Sequence, residues 1–165
     1  MGTRVRNNLA TLPNKLFLIE MAPEKRKIIE NEGQNAYENY EPVKKADFTV
    51  LAVPDKLIKD ISKDVVPLMK PGSTLILLDP AAAYIGDIAK RDDCTFVVTH
   101  PCHPQLFMEQ ETPEAKADMF GGVAAKQDIV IALDSGEEKN FEQANELCKI
   151  MFAPVMNSFR ISVKE

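Results

Sequence analysis

Residues 95–104 read Thr-Phe-Val-Val-Thr-His-Pro-Cys-His-Pro, and they place both histidines of the chain at the end of one apolar run. Residues 96–98 are consecutive and apolar, which predicts a strand at 95–99 that is covered on both faces, as in a parallel sheet. In open α/β sheets, ligands bind beyond the carboxyl ends of the strands. The run therefore predicts that His100 and His103 lie at a ligand-binding edge.

Short apolar runs alternate with amphipathic segments on both sides of this stretch, which is typical of stacked βα units. Further strands are predicted at 15–20, 47–53, 73–78, 127–133 and 154–163, with a weaker edge strand near Tyr37 and Tyr40. Helices are predicted at 3–12, 23–32 and 81–90 and in the segments that begin at Asp55, Thr112 and Ser135. Because strand-helix-strand connections are parallel and right-handed, the sequence predicts a doubly wound, mostly parallel Rossmann-like α/β sheet. Residues 1–165 form one predicted domain.

Several residues carry the signals of helix ends. Asp55 and Thr112 are predicted as N-caps, and Ser135 with Glu138 as a capping box. Gly33 is predicted to close the helix before it. The helix that begins at Asp55 is expected to present its apolar residues on one face: Leu57, Ile58, Ile61, Val65 and Leu68.

The charge and the cysteines of the chain restrict its partners and its compartment. A net charge of −5 and a pI near 5.2 argue against nucleic acid or an anionic membrane as a partner, since either favours a basic face. The three cysteines are odd in number and widely spaced, and no apolar run of about 18 residues appears. We therefore expect a cytoplasmic protein with free thiols.

The start of the chain holds the later parts of a dinucleotide-binding fingerprint. In such folds a glycine-rich turn opens the first helix, and an acid about 20 residues further on binds the adenosine ribose. Gly2 leads directly into the first predicted helix, and Glu20 ends the next strand 18 positions later. A carboxylate at that place favours NAD over NADP, because it accepts hydrogen bonds from a free 2′-hydroxyl and repels a 2′-phosphate. The alternative is a solvated charge at a strand end.

The strand that opens such a sheet does not precede Gly2 in this sequence. That strand normally lies centrally, and neighbouring strands are about 4.8 Å apart. Its absence predicts either a gap in the sheet or a direct pairing of its neighbours. We expect either a fragment of a longer protein or a binding module whose sheet is completed by a partner chain, since an open edge invites pairing.

Five segments of the chain resemble one family of proteins. They are Ala-Asp-Phe-Thr-Val-Leu-Ala-Val-Pro-Asp (46–55), Leu-Leu-Asp-Pro-Ala-Ala-Ala-Tyr (77–84), Thr-His-Pro-Cys-His-Pro (99–104), Phe-Gly-Gly-Val-Ala-Ala-Lys-Gln-Asp-Ile-Val (120–130) and Met-Phe-Ala-Pro-Val (151–155). They are similar to the NAD-binding domain of the phosphogluconate-dehydrogenase-like proteins, which are more distantly similar to ketol-acid reductoisomerases. The resemblance covers nearly the whole chain.

The resemblance implies an NAD-dependent oxidoreductase or oxidoisomerase that acts on a sugar acid or a similar hydroxy acid. It also implies a Gly-x-Gly-Gly-Lys-Met-Gly fingerprint, of which Met1 and Gly2 are present, and a helical C-terminal domain that supports dimerisation and completes the substrate pocket. That domain is absent from this sequence. Gln105 stands where the family usually has a second proline.

The candidate cofactor contacts lie at the start of the first predicted helix and at the ends of predicted strands: Gly2, Thr3, Glu20, Ala52, Val53 and Pro54. We expect the backbone of the Ala52–Pro54 turn to line the path from adenosine to nicotinamide. The alternative for this turn is a plain connection between a strand and a helix.

His100 is the candidate acid–base group and His103 its substrate-orienting partner, because imidazole titrates near neutral pH. The alternative is that both rings only fix a proline-rich loop. A metal site that includes Cys102 is disfavoured, since zinc ligands usually come from separated segments. Cys102 could instead be a nucleophile or a small packing residue. Surface or structural roles are expected for Asp79 and Lys126.

Overall fold

The computed structural model describes residues 2–13, 15–105 and 107–165. Strands and helices alternate along these residues, as the sequence predicts. The strands are β1 (Leu18–Ile19), β2 (Ala36–Tyr37), β3 (Phe48–Leu51), β4 (Thr74–Leu77), β5 (Thr95–Pro101), β6 (Gln127–Ser135) and β7 (Val155–Arg160). The α-helices are α1 (Gly2–Leu9), α2 (Pro23–Asn31), α3 (Asp55–Val65), α4 (Ala81–Tyr84), α5 (Pro113–Ala117) and α6 (Glu138–Met151). Short 3₁₀ turns cover Glu41–Lys45 and Val66–Leu68.

The strands form a five-stranded sheet and a separate two-stranded one. The larger sheet has the order β3-β4-β5-β6-β7, and all of its pairs are parallel except β5 with β6. The smaller sheet pairs β1 with β2 in parallel. The prediction of a mostly parallel, Rossmann-like α/β sheet is confirmed.

The antiparallel pairing of β6 accompanies a short helix in the connection that precedes it. A parallel β6 would need a connection that returns along the whole length of β5, about 20 Å for seven residues. The helix between the two strands is α5, whose five residues span about 7.5 Å. The antiparallel register shows that the chain enters β6 from the edge at which it left β5.

Apolar side chains on the two faces of the larger sheet form two core clusters. Leu75, Leu77 and Phe96 belong to the first cluster, which α3 covers, and Ile76 and Val97 belong to the second, which α1 and α6 cover. All five of these side chains are fully buried. The predicted strand that is covered on both faces is therefore confirmed at 95–99, and it continues to 101.

The two sheets lie side by side without hydrogen bonds between them. Among the described residues, β1 pairs only with β2, and β3 pairs only with β4. Ile19 of β1 nevertheless packs against the first core cluster. The prediction of a gap in the sheet is therefore confirmed, and the prediction of a direct pairing between its neighbours is wrong.

The structure corrects several predicted helix ends. Thr112 is an N-cap, because its Oγ1 accepts a hydrogen bond from the Ala115 backbone N–H at 3.1 Å. Asp55 is the first helical residue and not the cap. Ser135 forms no capping box, because it is the last residue of β6 and α6 begins after Glu137. Leu57 faces outward and is 42% exposed.

Two predicted helices are much shorter in the structure, since α4 and α5 have four and five residues. In the part of the chain that the structure describes, no helix is long and apolar enough to span a membrane.

Candidate active site at the end of strand β5

His100 is the second-last residue of β5 and pairs with Val130 of β6. Its Nδ1 is 2.8 Å from the backbone oxygen of Leu78. A carbonyl oxygen only accepts, so Nδ1 carries the hydrogen, and Nε2 of the neutral ring holds the free lone pair. The backbone after β4 thereby fixes the tautomer in which Nε2 can take up a proton.

His100 lines a cleft of about 610 Å³. Val98 and Val130 of β5 and β6 contribute to its floor, Tyr84 of α4 lies on one side, and residues 161–165 lie on the other. Tyr84 is 63% exposed, so its ring is available to a molecule in the cleft. The cleft combines an apolar floor with a few polar side chains, which is the usual character of a small-molecule site.

The tail that follows β7 is held in place beside His100 by its own hydrogen bonds. The Ile161 backbone N–H donates to the Ile131 oxygen at 3.0 Å. The backbone N–H and hydroxyl of Ser162 both donate to Glu165 Oε2, at 2.8 and 2.9 Å. These two bonds lower the pKa of Glu165. The wall of the cleft is therefore an ordered turn.

His103 and Cys102 lie away from the cleft-lining residues. The exposed His103 ring meets the Phe120 ring edge to face, with centroids 5.8 Å apart, and does not line the described cleft. Burial, with the nearby Asp128 carboxylate, raises the pKa of the Cys102 thiol. A raised pKa disfavours the thiolate that a nucleophile requires. Of the predicted residues in this loop, His100 alone lines the cleft.

Asp118 organises the Phe-Gly-Gly loop that packs on this histidine-proline segment. Its Oδ1 accepts a hydrogen bond from Gly122 N, and its Oδ2 accepts from Val123, Ala124 and Ala125 N, all at 2.8–3.0 Å. Partial burial raises the pKa of Asp118, but the four backbone bonds outweigh it and lower the pKa to about 2. The sequence analysis missed this residue, although its place just before a double glycine was a usable signal.

Asp118→Asn is expected to destabilise the protein in a pH-dependent way. The pKa of Asp118 is lowered, so its charge stabilises the fold above about pH 4, and this contribution is lost as the pH falls towards about 2. We expect a loss of about 1–2 kcal/mol near pH 6 and a smaller loss near pH 3, measured by urea unfolding. Asp92→Asn, at an exposed carboxylate, is the control. An equal loss at both pH values would contradict this role of the charge.

Asp79, Lys126 and Gln105 make contacts that favour structural roles. Asp79 Oδ1 accepts from the Ala81 backbone N–H at 2.8 Å, which caps the start of α4. Lys126 forms an ion pair with Glu111 and lowers the pKa of that carboxyl. Gln105 donates to the buried Asp128 carboxylate at 3.3 Å. Gln105, which stands where the family resemblance implies a proline, thus contacts Asp128 of β6.

The structure brings Gly2 together with the Ala52–Pro54 turn. A methyl group built on Gly2 would lie 3.6 Å from Ala52 Cβ, so the first residue of α1 adjoins the turn after β3. That distance is ordinary contact, and the described residues do not require glycine there for steric reasons. Thr3, in the first turn of α1, is exposed. The backbone N–H groups at this helix start are free of helical partners and suit an anion.

Glu20 directly follows β1 of the smaller sheet. Its backbone N–H donates to Tyr37 O at 3.0 Å, and its Oε1 accepts from the Ala22 backbone N–H at 2.9 Å. The half-buried carboxylate is thereby fixed at the strand end. Glu20 and Ala52 directly follow strands and His100 lies near the end of β5, while Gly2 and Thr3 begin α1 beside Ala52. The carboxyl ends of parallel strands are where such sheets bind ligands.

Two curated relatives align with the whole of this chain. D-apionate oxidoisomerase of Blautia hydrogenotrophica is 44% identical over 167 residues, and that of Pectobacterium atrosepticum is 37% identical over 165 residues. The family model described as phosphogluconate dehydrogenase (decarboxylating) C-term matches residues 108–165. This chain is similar to the phosphogluconate-dehydrogenase-like family.

The family resemblance predicted from the sequence motifs is therefore confirmed. The segment that the family model matches holds the Asp118 loop, β6, α6 and β7 of this phosphogluconate-dehydrogenase-like chain. Both alignments cover 100% of the chain but 58% of each relative. The chain thus spans somewhat more than half the length of the curated relatives it matches.

Solved structures agree with this similarity. A semialdehyde dehydrogenase NAD-binding protein from Cupriavidus necator, in complex with calcium and NAD, is 35% identical with a TM-score of 0.92, and the match covers 98% of this chain and 59% of that one. Prephenate dehydrogenase from A. aeolicus is 15% identical with a TM-score of 0.69, covering 99% and 57%. The second likeness shows that the fold of this phosphogluconate-dehydrogenase-like chain is shared with dehydrogenases.

Proposed function

We propose that this chain is the nucleotide-binding part of an NAD-dependent oxidoreductase or oxidoisomerase that acts on a sugar acid or a similar hydroxy acid. The observation that carries the proposal is the alignment of the α1 start, the turn after β3 and the His100 cleft along the carboxyl edges of parallel strands. The names of the relatives and the NAD complex of a similar protein support it.

The residues present fit the proposed cofactor. The free N–H groups at the start of α1 suit a pyrophosphate, and the fixed Glu20 carboxylate suits a ribose with a free 2′-hydroxyl. NADP is the less favoured cofactor, because its 2′-phosphate would approach that carboxylate. Bound NAD would supply the acceptor for the hydride that leaves the carbon with the substrate hydroxyl.

His100 would manage the proton of the same reaction. Oxidation of a hydroxyl to a carbonyl releases a hydride and a proton, and the free lone pair on Nε2 can accept that proton. The Leu78 carbonyl that holds Nδ1 stabilises the imidazolium that results. The apolar floor beside it, with Val98 and Val130, would limit water around the reacting atoms. His103 as an orienting group stays a prediction, and its distance from the cleft does not favour it.

Calorimetric titration of NAD and NADP into the purified 165-residue chain tests the cofactor proposal. We expect NAD to bind at least about tenfold more tightly than NADP, which corresponds to about 1.4 kcal/mol of discrimination. Light scattering on the same samples gives the molecular mass with and without nucleotide. Absence of binding heat with both nucleotides would overturn the proposal.

A second candidate function follows from the gap between the two sheets. We propose, as the alternative, a non-catalytic module in which a partner chain or a second copy supplies a strand between β1 and β3. The unpaired edges of these two strands within the described residues support it, since such edges recruit other strands. In the same experiment, a defined oligomer that does not bind nucleotide would favour this module over the dehydrogenase domain.

A further inference from the structure

Arg26 of α2 lies directly behind the strand end that carries Glu20. One guanidinium nitrogen, Nη1, donates to the backbone oxygens of Glu20 and Met21, both at 3.0 Å. The other, Nη2, contacts Glu38 Oε2 at 3.2 Å. The Arg26 side chain is 18% exposed, whereas that of Glu38 is 73% exposed. One terminal nitrogen of the guanidinium is therefore fixed by the backbone oxygens of Glu20 and Met21. The other contacts the exposed Glu38 carboxylate.

The guanidinium thus pairs with the Glu38 carboxylate and bonds to the backbone of the residue that carries the Glu20 carboxylate. Glu20 is fixed by the Ala22 backbone N–H, and Glu38 pairs with Arg26 from the turn after β2. Arginine binds phosphate groups in a bidentate manner when its nitrogens are free. A phosphate approaching Arg26 would have to displace Glu38 and would meet the charge of Glu20. The pair of acids therefore suppresses a phosphate site that the arginine would otherwise provide.

We propose that Glu38, by occupying Arg26, is a second determinant of nucleotide specificity beside Glu20. This inference rests on the proposed function, because it places the adenosine ribose at Glu20. Glu20 repels the 2′-phosphate directly, and Glu38 occupies Arg26, a cation that could bind it. With both carboxylates removed, Arg26 becomes the group that binds the 2′-phosphate of NADP.

Glu30 provides a matched control for the charge of Glu38. Arg26, Glu30 and Glu38 all line a second cleft, of about 450 Å³, between α2 and the turn after β2. Glu30 is exposed and removal of its carboxylate changes the net charge equally, but the bond to Arg26 belongs to Glu38. An effect of Glu38→Gln that Glu30→Gln does not reproduce is therefore due to the release of Arg26.

The test measures NAD and NADP affinity by calorimetry in the full chain and in four variants. They are Glu20→Ser alone, the double variant with Glu38→Gln, the double variant with Glu30→Gln, and the triple variant that combines Glu20→Ser, Glu38→Gln and Arg26→Met. We expect the affinity ratio of NADP to NAD to rise about tenfold with Glu20→Ser and about tenfold more with Glu38→Gln. The Glu30→Gln double should match Glu20→Ser alone, and Arg26→Met should cancel the second gain.

The outcomes separate the inference from the proposed function. If the unchanged chain and all variants bind neither nucleotide, both are overturned. If NAD binds but Glu38→Gln adds nothing, or its gain persists without Arg26, this inference alone is wrong. Thermal unfolding of each variant checks the fold, and Arg26→Gln replaces Arg26→Met if the latter unfolds, because glutamine removes the charge but keeps an N–H donor for the Glu20 backbone oxygen.

Discussion

Replacing Gly136 with alanine is expected to lower the free energy of unfolding by about 3 kcal/mol or more. Gly136 connects β6 to α6 with a φ of +109°, a conformation that L side chains rarely adopt. A Cβ there would lie 2.6 Å from both the Cα and the Oγ1 of Thr95. The Cα belongs to the first residue of β5, which is 1% exposed, so the backbone has no space to move away.

Gly33→Ala is the matched control, since Gly33 has a φ of +80° but no atom within 4 Å of the added carbon. It should lose only the conformational part, about 1 kcal/mol. Urea unfolding of both variants gives the difference, and the melting temperature of Gly136→Ala should fall by about 6–12 °C. Equal losses in the two variants would show that the Thr95 contact is relieved without cost.

The strands of the central sheet were predictable because a strand that is buried on both faces has apolar residues at consecutive positions. Residues 96–98 are apolar without interruption, and β4 is equally apolar at Leu75, Ile76 and Leu77. The orientation of β6 was not predictable in this way. It depends on whether the segment after Pro101 recrosses the sheet, and the signals at Thr112 indicate a helix without giving its length.

The prediction of a capping box at Ser135 was wrong because Ser135 is paired within the sheet. Ser135 pairs with Phe96 in the antiparallel ladder, so its backbone is extended and its hydroxyl is not at the start of α6. The N-terminus of α6 is fixed by a distant residue: Thr95 Oγ1 accepts from Glu137 N at 3.2 Å and from Asn140 Nδ2 at 3.0 Å. Contacts between residues about 40 positions apart leave no signal of this kind in the local sequence.

The candidate site was predictable where it depends on strand ends and unpredictable where it depends on loop conformation. His100, Glu20 and Ala52 follow apolar runs, and the structure has them at the carboxyl ends of strands. His103 is only three residues from His100, but the chain leaves the sheet after Pro101 and directs its ring to Phe120. A single irregular turn is enough to separate two histidines that the sequence places together.

His100→Asn is expected to lower kcat of the proposed NAD-dependent oxidation about 100-fold or more. The amide nitrogen of asparagine can replace Nδ1 as the donor to Leu78 O, but asparagine has no counterpart of Nε2. The variant therefore keeps the local fold and loses the proton acceptor. Formation of NADH from NAD and a sugar acid, the substrate class of the proposed function, provides the assay.

The pH profile separates a base from a merely structural histidine. A neutral imidazole accepts a proton and an imidazolium does not, so the rate of the unchanged chain should rise with pH. That rise should disappear in His100→Asn and persist in the control His103→Asn, whose rate should stay within a few-fold of the unchanged chain because His103 contacts Phe120 outside the cleft. A His100→Asn variant with full kcat and an unchanged profile would exclude His100 as the base.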